Sequence, residues 1–549
     1  MSSLRRLLTL IALFVLANCS PASKPDLPKQ AQRVLLICVD NQRADHTGIY
    51  GATRDTTPAL DAFAHTGIAF DHALTPAPWV LPAMRAVLTG RQPEEYDSAT
   101  TLPELLRERG FATAMFSANP WLSARYDMQR GFDLFQVAPK ASAAVQVDQV
   151  IEWLHQNSDR NVLLVLHLAD AQLPFREPAS HRHLFAGDPV PPLGESLTRS
   201  DLLGARLANP MTRAYVAARY DNNLRYADDQ LARLFAAVGN DDIVVYFSDH
   251  GEELWDRGRF GHARSLAHEV LHVPLVIRAP GFEPGRIPPP VSLVDITPTL
   301  IDLLDLDPSE HAFDGTSLVP AMGGEPDAFT RLGTRSIAFG RPLYGARSWG
   351  VQTGLEKYIT VRGIEMLYDL ATDPHESSNL LAGREWSAGL PFRRRLAEAL
   401  GRQIKIGFVL TAFSSSGLFP KAVEAHLEFD GGVASLWVAD QPANAALSWA
   451  WTDQGRAFAR WEAGFREGHQ IIVMPRKTIG AAERSLTLDV SVGERSYVVP
   501  VSLDASQRSG TRRQRLAAAR LPEGLVITLD ACVAPIPGSD TGRMPGPTR

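Results

Sequence analysis

Cysteine is scarce: the 549 residues contain three, Cys19, Cys38 and Cys532. Thiols so few and so widely spaced exclude a disulfide framework, and each needs its own explanation. A basic excess is missing too. Lys and Arg number 55 against 61 Asp and Glu, a formal charge of −6, so the chain lacks the surplus with which phosphate-backbone binders displace counterions, and nucleic acid is not an expected partner. Long apolar runs are absent as well. The N-terminal run, Leu7 to Ala17, falls short of the roughly 20 residues that span a bilayer. With 45% hydrophobic and 21% charged residues, the composition excludes wholesale disorder, collagen and a multispanning membrane protein. A packed globular chain remains, long enough for one large core and an accessory unit.

The N-terminus reads as an export signal: Arg5 and Arg6, the apolar run, then Asn18 and Cys19. Leu16-Ala17-Asn18-Cys19 also resembles a bacterial lipobox, with Asn18 where a small residue is usual. Residues 1–19 are therefore expected to be a signal peptide whose Cys19 is lipidated. The mature chain is expected in the periplasm or at the outer membrane, with the lipid anchor as its only membrane contact. Residues 20–32 form a polar, Pro-containing linker. Cys38 and Cys532 sit in apolar runs and read as buried, inert side chains.

From Arg33 onward, apolar runs of strand length alternate with helical patterns, which marks an α/β domain around a largely parallel sheet, placed at 33–384. Val34 to Val39, Val162 to Leu168, Ile243 to Phe247 and Pro274 to Ile277 are nearly continuous, as strands covered on both faces should be. Thr212 to Val238 carries apolar residues at three-to-four spacing and predicts a long helix stopping at Gly239-Asn240. A connecting helix is expected at 385–405. Short β-rich runs then fill 406–533, predicting a separate sandwich-like β domain, and the Pro-, Gly- and Arg-rich tail 534–549 is expected to be disordered.

In an open parallel sheet, ligands gather beyond the carboxyl ends of the strands. Two apolar runs end in polar clusters there, Asp40-Asn41 after the first and Ser248-Asp249-His250 after the third. Two carboxylates, an amide oxygen and an imidazole facing one crevice suit a divalent cation. Taken singly, each strand-terminal Asp is better explained as a helix cap; taken together, each with a second potential ligand adjacent, the two segments point to a metal.

Further segments match a known family in order: Asp40 with Arg43-x-Asp45, Leu88-Thr89-Gly90, Ser248-Asp249-His250-Gly251-Glu252, Phe260-Gly261-His262, and Val294-Asp295-Ile296-x-Pro298-Thr299-Leu300. The core resembles the sulfatase family of the alkaline phosphatase superfamily. That resemblance implies an alkaline-phosphatase-like sandwich around a mostly parallel sheet. It also implies hydrolysis of sulfate esters, small-molecule or glycan, or of related phosphate esters and phosphonates, by a hydroxyl nucleophile on a divalent metal. Calcium is the metal implied by the family, while His250 fits manganese or zinc as well. The implied metal shell is Asp40, Asn41, Asp249 and His250, with His262 as leaving-group acid or anion contact.

The departures are chemical. Counting back from Gly90, the nucleophile position is Val80, Pro82 is retained, and Met84 stands where arginine belongs, with Arg85 one residue late. The family's Gly-Lys-Trp-His segment reads Ser117-Ala118-Asn119-Pro120-Trp121, and its Asp-Pro-His reads Asp170-Ala171-Gln172. Arg85, Asn119 and Gln172 remain the candidates for substrate contact, and Lys357 reads as structural. Two functions follow: an exported hydrolase in which metal-bound water replaces the nucleophile, or a non-catalytic pseudoenzyme lipoprotein that binds or assembles.

Overall fold

The computed structural model describes residues 32–400, apart from 140, 191–192, 195–196, 199–200, 203–208, 345–347, 362–363, 383 and 385, and beyond residue 400 the backbone of strands alone. The leader with Cys19, the linker up to residue 31 and the tail 534–549 lie outside the described residues. Among the described residues, no helix is long and apolar enough to cross a membrane. The chain divides into two compact units, Met1–His262 with Glu269–Thr334, and Ala263–His268 with Arg335–Arg549, so the span expected as one α/β domain, 33–384, contributes to both.

The first unit is built on an eight-stranded sheet. In chain order its strands are β1 (Arg33–Val39), β2 (Ile68–Phe70), β3 (Ala112–Ser117), β4 (Leu134–Val137), β5 (Val162–Leu168), β6 (Ile243–Phe247), β7 (Leu275–Arg278) and β8 (Gly285–Ile287). Across the sheet they run β8-β2-β7-β6-β1-β5-β3-β4. β1 lies parallel between β5 and β6, with Val34 opposite Leu163 and Ile243. β7 runs antiparallel to both of its neighbours.

Both faces of β1 are buried, which explains why its sequence does not alternate. Side chains on successive residues point to opposite faces. Val34, Leu36 and Cys38 join one core with Val165, Val245 and residues of helix α2 (Val80–Thr89). Leu35, Ile37 and Val39 join the other with helices α4 (Ala143–Gln156) and α5 (Pro210–Ala237); α1 (Pro58–Ala64) packs on that same face, and α3 (Leu102–Glu108) on the first. Each fully buried Leu, Val or Ile contributes about 1.5–3 kcal/mol, so this double coverage is what holds the strand ends in place.

Helix α5 starts two residues earlier than its apolar spacing predicts. The side chain of Asn209 accepts the Met211 N–H at 2.9 Å and Pro210 follows, a cap and first-turn pair that periodicity overlooks.

In the second unit, β9 (Ser336–Gly340), β10 (Ser348–Thr353), β11 (Glu356–Val361) and β12 (Ile364–Asp369) form an antiparallel sheet in sequence order. Lys357 on β11 is buried; its Nζ pairs with Glu376 and donates to Leu266 O at 2.7 Å. That is a structural arrangement, since the ammonium is consumed within its own unit. In the region expected as the connecting helix, a short turn at Trp386–Gly389 leads into a helix at Leu390–Ala399. Beyond residue 400 the described strands form a five-stranded sheet, a four-stranded antiparallel sheet and a two-stranded ladder.

Candidate metal centre

The site forms where β1 and β6 end. Asp40 prolongs β1 by donating its N–H to Leu168 O at 2.9 Å. Asn41 then adopts φ 66°, a left-handed conformation that Asn tolerates better than most residues, and the chain turns across the strand ends. Ser248 stitches the two loops together: its hydroxyl donates to His250 O at 2.7 Å and accepts the Gln42 N–H at 3.0 Å. Gly251 is required by a close approach, since a Cβ there would meet Glu269 O at 2.1 Å.

Ligand atoms of Asp40, Asp249 and His250 lie within 4.8 Å of one another, and all three residues are buried. His250 Nδ1 is 3.0 Å from Gly251 O. A carbonyl only accepts, so Nδ1 carries the hydrogen and, in the neutral ring, Nε2 presents its lone pair. Nε2 lies 3.2 Å from Asp40 Oδ1 and 3.9 Å from Asp249 Oδ2. The outer contacts orient the donors: Asn119 Nδ2 donates to Asp40 Oδ2 at 2.7 Å, the His250 N–H to Asp249 Oδ1 at 3.0 Å, and Asn41 Nδ2 to Glu252 Oε2 at 2.6 Å. Asp40 Oδ1, Asn41 Oδ1 and His250 Nε2 remain buried without a hydrogen-bond partner. A buried polar atom left unsatisfied costs about 1–3 kcal/mol. Asp40 Oδ1 and His250 Nε2 have only each other, at 3.2 Å, and a divalent cation between the two carboxylates and the imidazole takes the place of the proton that pairs them, while the Asn41 amide oxygen is buried without a partner next to Asp40 in the chain. The residues present therefore fit the metal.

Without a cation, a proton takes over part of its role. Burial opposes the charge on His250, but the carboxylates of Asp249 and Asp40 outweigh it and push the imidazole up to about 9. Burial likewise opposes the Asp40 carboxylate, and contact with His250 more than offsets it, holding Asp40 below the usual carboxylate range. These are the opposing effects of desolvation and of neighbouring charge.

The other candidate residues divide. His262 stands beside the trio: its ring centroid is 4.5 Å from that of His250, and its Nδ1 is 3.1 Å from Glu252 Oε2. Val80 is the first residue of α2 and is buried in the core that also holds Cys38. Met84 lies in the same core. Asn119 is engaged on both sides of its amide, through Asp40 and through Trp121 N–H, which reaches Oδ1 at 3.0 Å. The structure thus places its amide against a candidate metal ligand, Asp40. Arg85 stacks 4.6 Å from the Tyr96 ring centroid and donates to Tyr126 O at 2.9 Å. Gln172 is half-buried in a turn closed by its N–H to Ala169 O at 3.2 Å.

Two residues at the site carry roles that the sequence did not reveal. Glu252 receives both Asn41 and His262 on Oε2, joining a candidate ligand to a candidate proton carrier. His167, buried on β5, sets its Nε2 3.1 Å from Asp249 Oδ2. Its signal was a lone polar residue inside the apolar run Val162 to Leu168.

The sulfatase family profile matches residues 32–306, half of the chain, and the chain belongs to that family. Choline-sulfatase of Rhizobium meliloti (strain 1021) is 33% identical over 180 residues, 31% of this chain and 32% of that protein, so the match spans about a third of the relative. The uncharacterized sulfatase YidJ of Escherichia coli (strain K12) is 23% identical over 414 residues, 63% of this chain and 82% of YidJ. Among solved structures, the phosphonate monoester hydrolase of Agrobacterium radiobacter superposes with a TM-score of 0.56 at 22% identity, over 68% of this chain and 98% of that one. That likeness shows the fold: α/β with a large, mostly parallel sheet.

Proposed function

We propose that this sulfatase-family chain is an exported protein that holds one divalent cation at Asp40, Asp249, His250 and Asn41 and binds a sulfate or related phosphate ester there, without the covalent step of its relatives. The observation that carries this reading is a buried, converging donor set combined with a valine at the start of α2. Calcium is the family's metal, and the imidazole admits manganese or zinc. When bound, the cation neutralises charge on the ester oxygens and polarises them.

The chain's own residues do the rest. Asn119 fixes Asp40, and Glu252 fixes the Asn41 amide so that Oδ1 faces away from it. Glu252 also accepts from His262 Nδ1, which leaves Nε2 of His262 to hold or release a proton at the bridging oxygen of the ester or at water. Val80 supplies two methyl groups where a hydroxyl is needed, so the two-step displacement is lost. Small sulfate esters are the first candidates, because choline-sulfatase is named for one. Titration calorimetry of manganese-loaded protein with 4-nitrophenyl sulfate, 4-nitrophenyl phosphate and phenylphosphonate tests the reading. At least one is expected to bind only when metal is present, and Asp249→Ala is expected to abolish that binding. Failure of all three to bind overturns it.

The order of Arg5, Arg6, the apolar run and Cys19 supports a mature chain that begins at Cys19 and is held to a membrane by lipid alone. Ser20 instead of Asp at the next position favours the outer membrane. Mass spectrometry of the mature N-terminus is expected to find a lipidated Cys19; an unmodified terminus elsewhere ends the claim.

A further inference from the structure

Cys38 and His167 are paired positions on β1 and β5, and Cys38 also pairs with Phe247 on β6, two residues before Asp249. Partners in register on parallel strands point to the same face of the sheet, so thiol and imidazole lie side by side on the face covered by α2. Donor atoms of Cys38, His167 and Asp249 lie within 4.8 Å of one another, and all three residues are buried. The thiol is free. His167 Nδ1 is buried without a hydrogen-bond partner, and Nε2 lies 3.1 Å from Asp249 Oδ2.

Separately, these residues have ordinary explanations. A buried cysteine is a small apolar side chain, and a buried histidine can orient a carboxylate. Together they are harder to explain, because an apolar residue at 167 would fill the strand without burying a polar ring. The combination of sulfur, nitrogen and oxygen donors suits zinc or cobalt better than calcium. The spacing fits as well: a tetrahedral ion with bonds of about 2.0 Å sets its nitrogen and oxygen ligands about 3.3 Å apart, close to the separation of His167 Nε2 and Asp249 Oδ2.

We propose a second divalent-cation site of zinc type, formed by Cys38 Sγ, His167 Nε2 and the Asp249 carboxylate. Asp249 then serves both cations, joining a hard site at Asp40 and His250 to a soft one within the sheet. The proposal rests on the first reading only through this shared carboxylate. Loading exchanges protons for metal: the thiol S–H gives its proton to solvent as the S–metal bond forms, and the hydrogen that His167 Nε2 shares with Asp249 in the cation-free protein leaves Nε2 for solvent as the N–metal bond forms, the neutral ring keeping its one hydrogen on Nδ1.

Protein produced in cobalt-supplemented minimal medium provides the test, read by metal content and by the near-ultraviolet sulfur-to-cobalt charge-transfer band. Wild type is expected to hold two cobalt ions and to show the band. Cys38→Ser is expected to lose the band and half of the metal, whereas Asp40→Ala loses half of the metal and keeps the band. Absence of the band in wild type, or its persistence in Cys38→Ser, overturns the proposal. If Cys38→Ser does not fold, the wild-type spectrum decides alone. An Asp40→Ala protein with unchanged metal content and an intact band sinks the first site and spares the second.

Discussion

Reconstituted with calcium, manganese or zinc, the wild-type protein is expected to hydrolyse aryl sulfates and phosphate monoesters roughly 10⁴- to 10⁶-fold more slowly than a nucleophile-bearing relative, the loss seen when a covalent nucleophile is deleted elsewhere. No sulfo-enzyme or phospho-enzyme is expected to accumulate, because Val80 has no atom that can form one. Val80→Thr restores an oxygen at nearly constant volume. In the cation-free protein that hydroxyl enters a buried position and costs about 1–3 kcal/mol if it finds no partner. With metal bound, the oxygen gains a partner, so the melting-temperature deficit of Val80→Thr against wild type should shrink when metal is added. A rise in turnover is expected alongside, limited by Met84 and by the engagement of Asn119 with Asp40. Rapid wild-type turnover falsifies the non-covalent reading, and a Val80→Thr deficit insensitive to metal removes Val80 from the cation's surroundings.

The fold was legible where composition and burial coincide. Val162 to Leu168 and Ile243 to Phe247 are strands of those bounds, because a strand covered on both faces leaves an uninterrupted apolar run. Asp40, Asp249 and His250 could be picked out because they end such runs at the edge where ligands collect. Pairings set by tertiary register were not legible. Glu252 meets Asn41 across 211 residues of sequence, and no local pattern tells a carboxylate in that loop which amide it will face. Asn119 illustrates the same limit: as a replacement for a substrate-binding lysine it reads as a contact to the ester, yet its amide holds Asp40. His167 was visible as an anomaly in an apolar run, but its partner depends on the register of β5 against β1.

Metal binding is expected to depend steeply on pH, and in a direction opposite to the stability of the cation-free protein. His250 is raised to about 9, above the ordinary value of about 6.5. In the cation-free protein, its contribution to stability is therefore fully present below the unfolded value and is lost as pH rises through about 9. Asp40, held below the usual carboxylate range, works the other way, contributing above about 3.9 and losing that contribution as pH falls through its depressed value. A cation needs Nε2 unprotonated and must displace the proton that His250 holds near neutrality. Apparent affinity should then rise about tenfold per pH unit from 7 and level off near the folded value, one proton being exchanged per ion. At pH 7, calorimetry in buffers of different ionisation enthalpy should register about one proton released by the Asp40, Asp249 and His250 site; a Cys38→Ser background removes any contribution from the thiol. Glu252→Gln, which disturbs Asn41 without removing a ligand, is expected to weaken binding about 10- to 100-fold, and Asp249→Ala by more. Asp249→Ala also removes one of the neighbours that raise His250, leaving Asp40 and the Gly251 carbonyl, so whatever binding survives should level off at a lower pH than in the parent protein. An affinity flat across that range in the parent protein, with no proton released, means that His250 is not a ligand and that the donor set must be drawn without it.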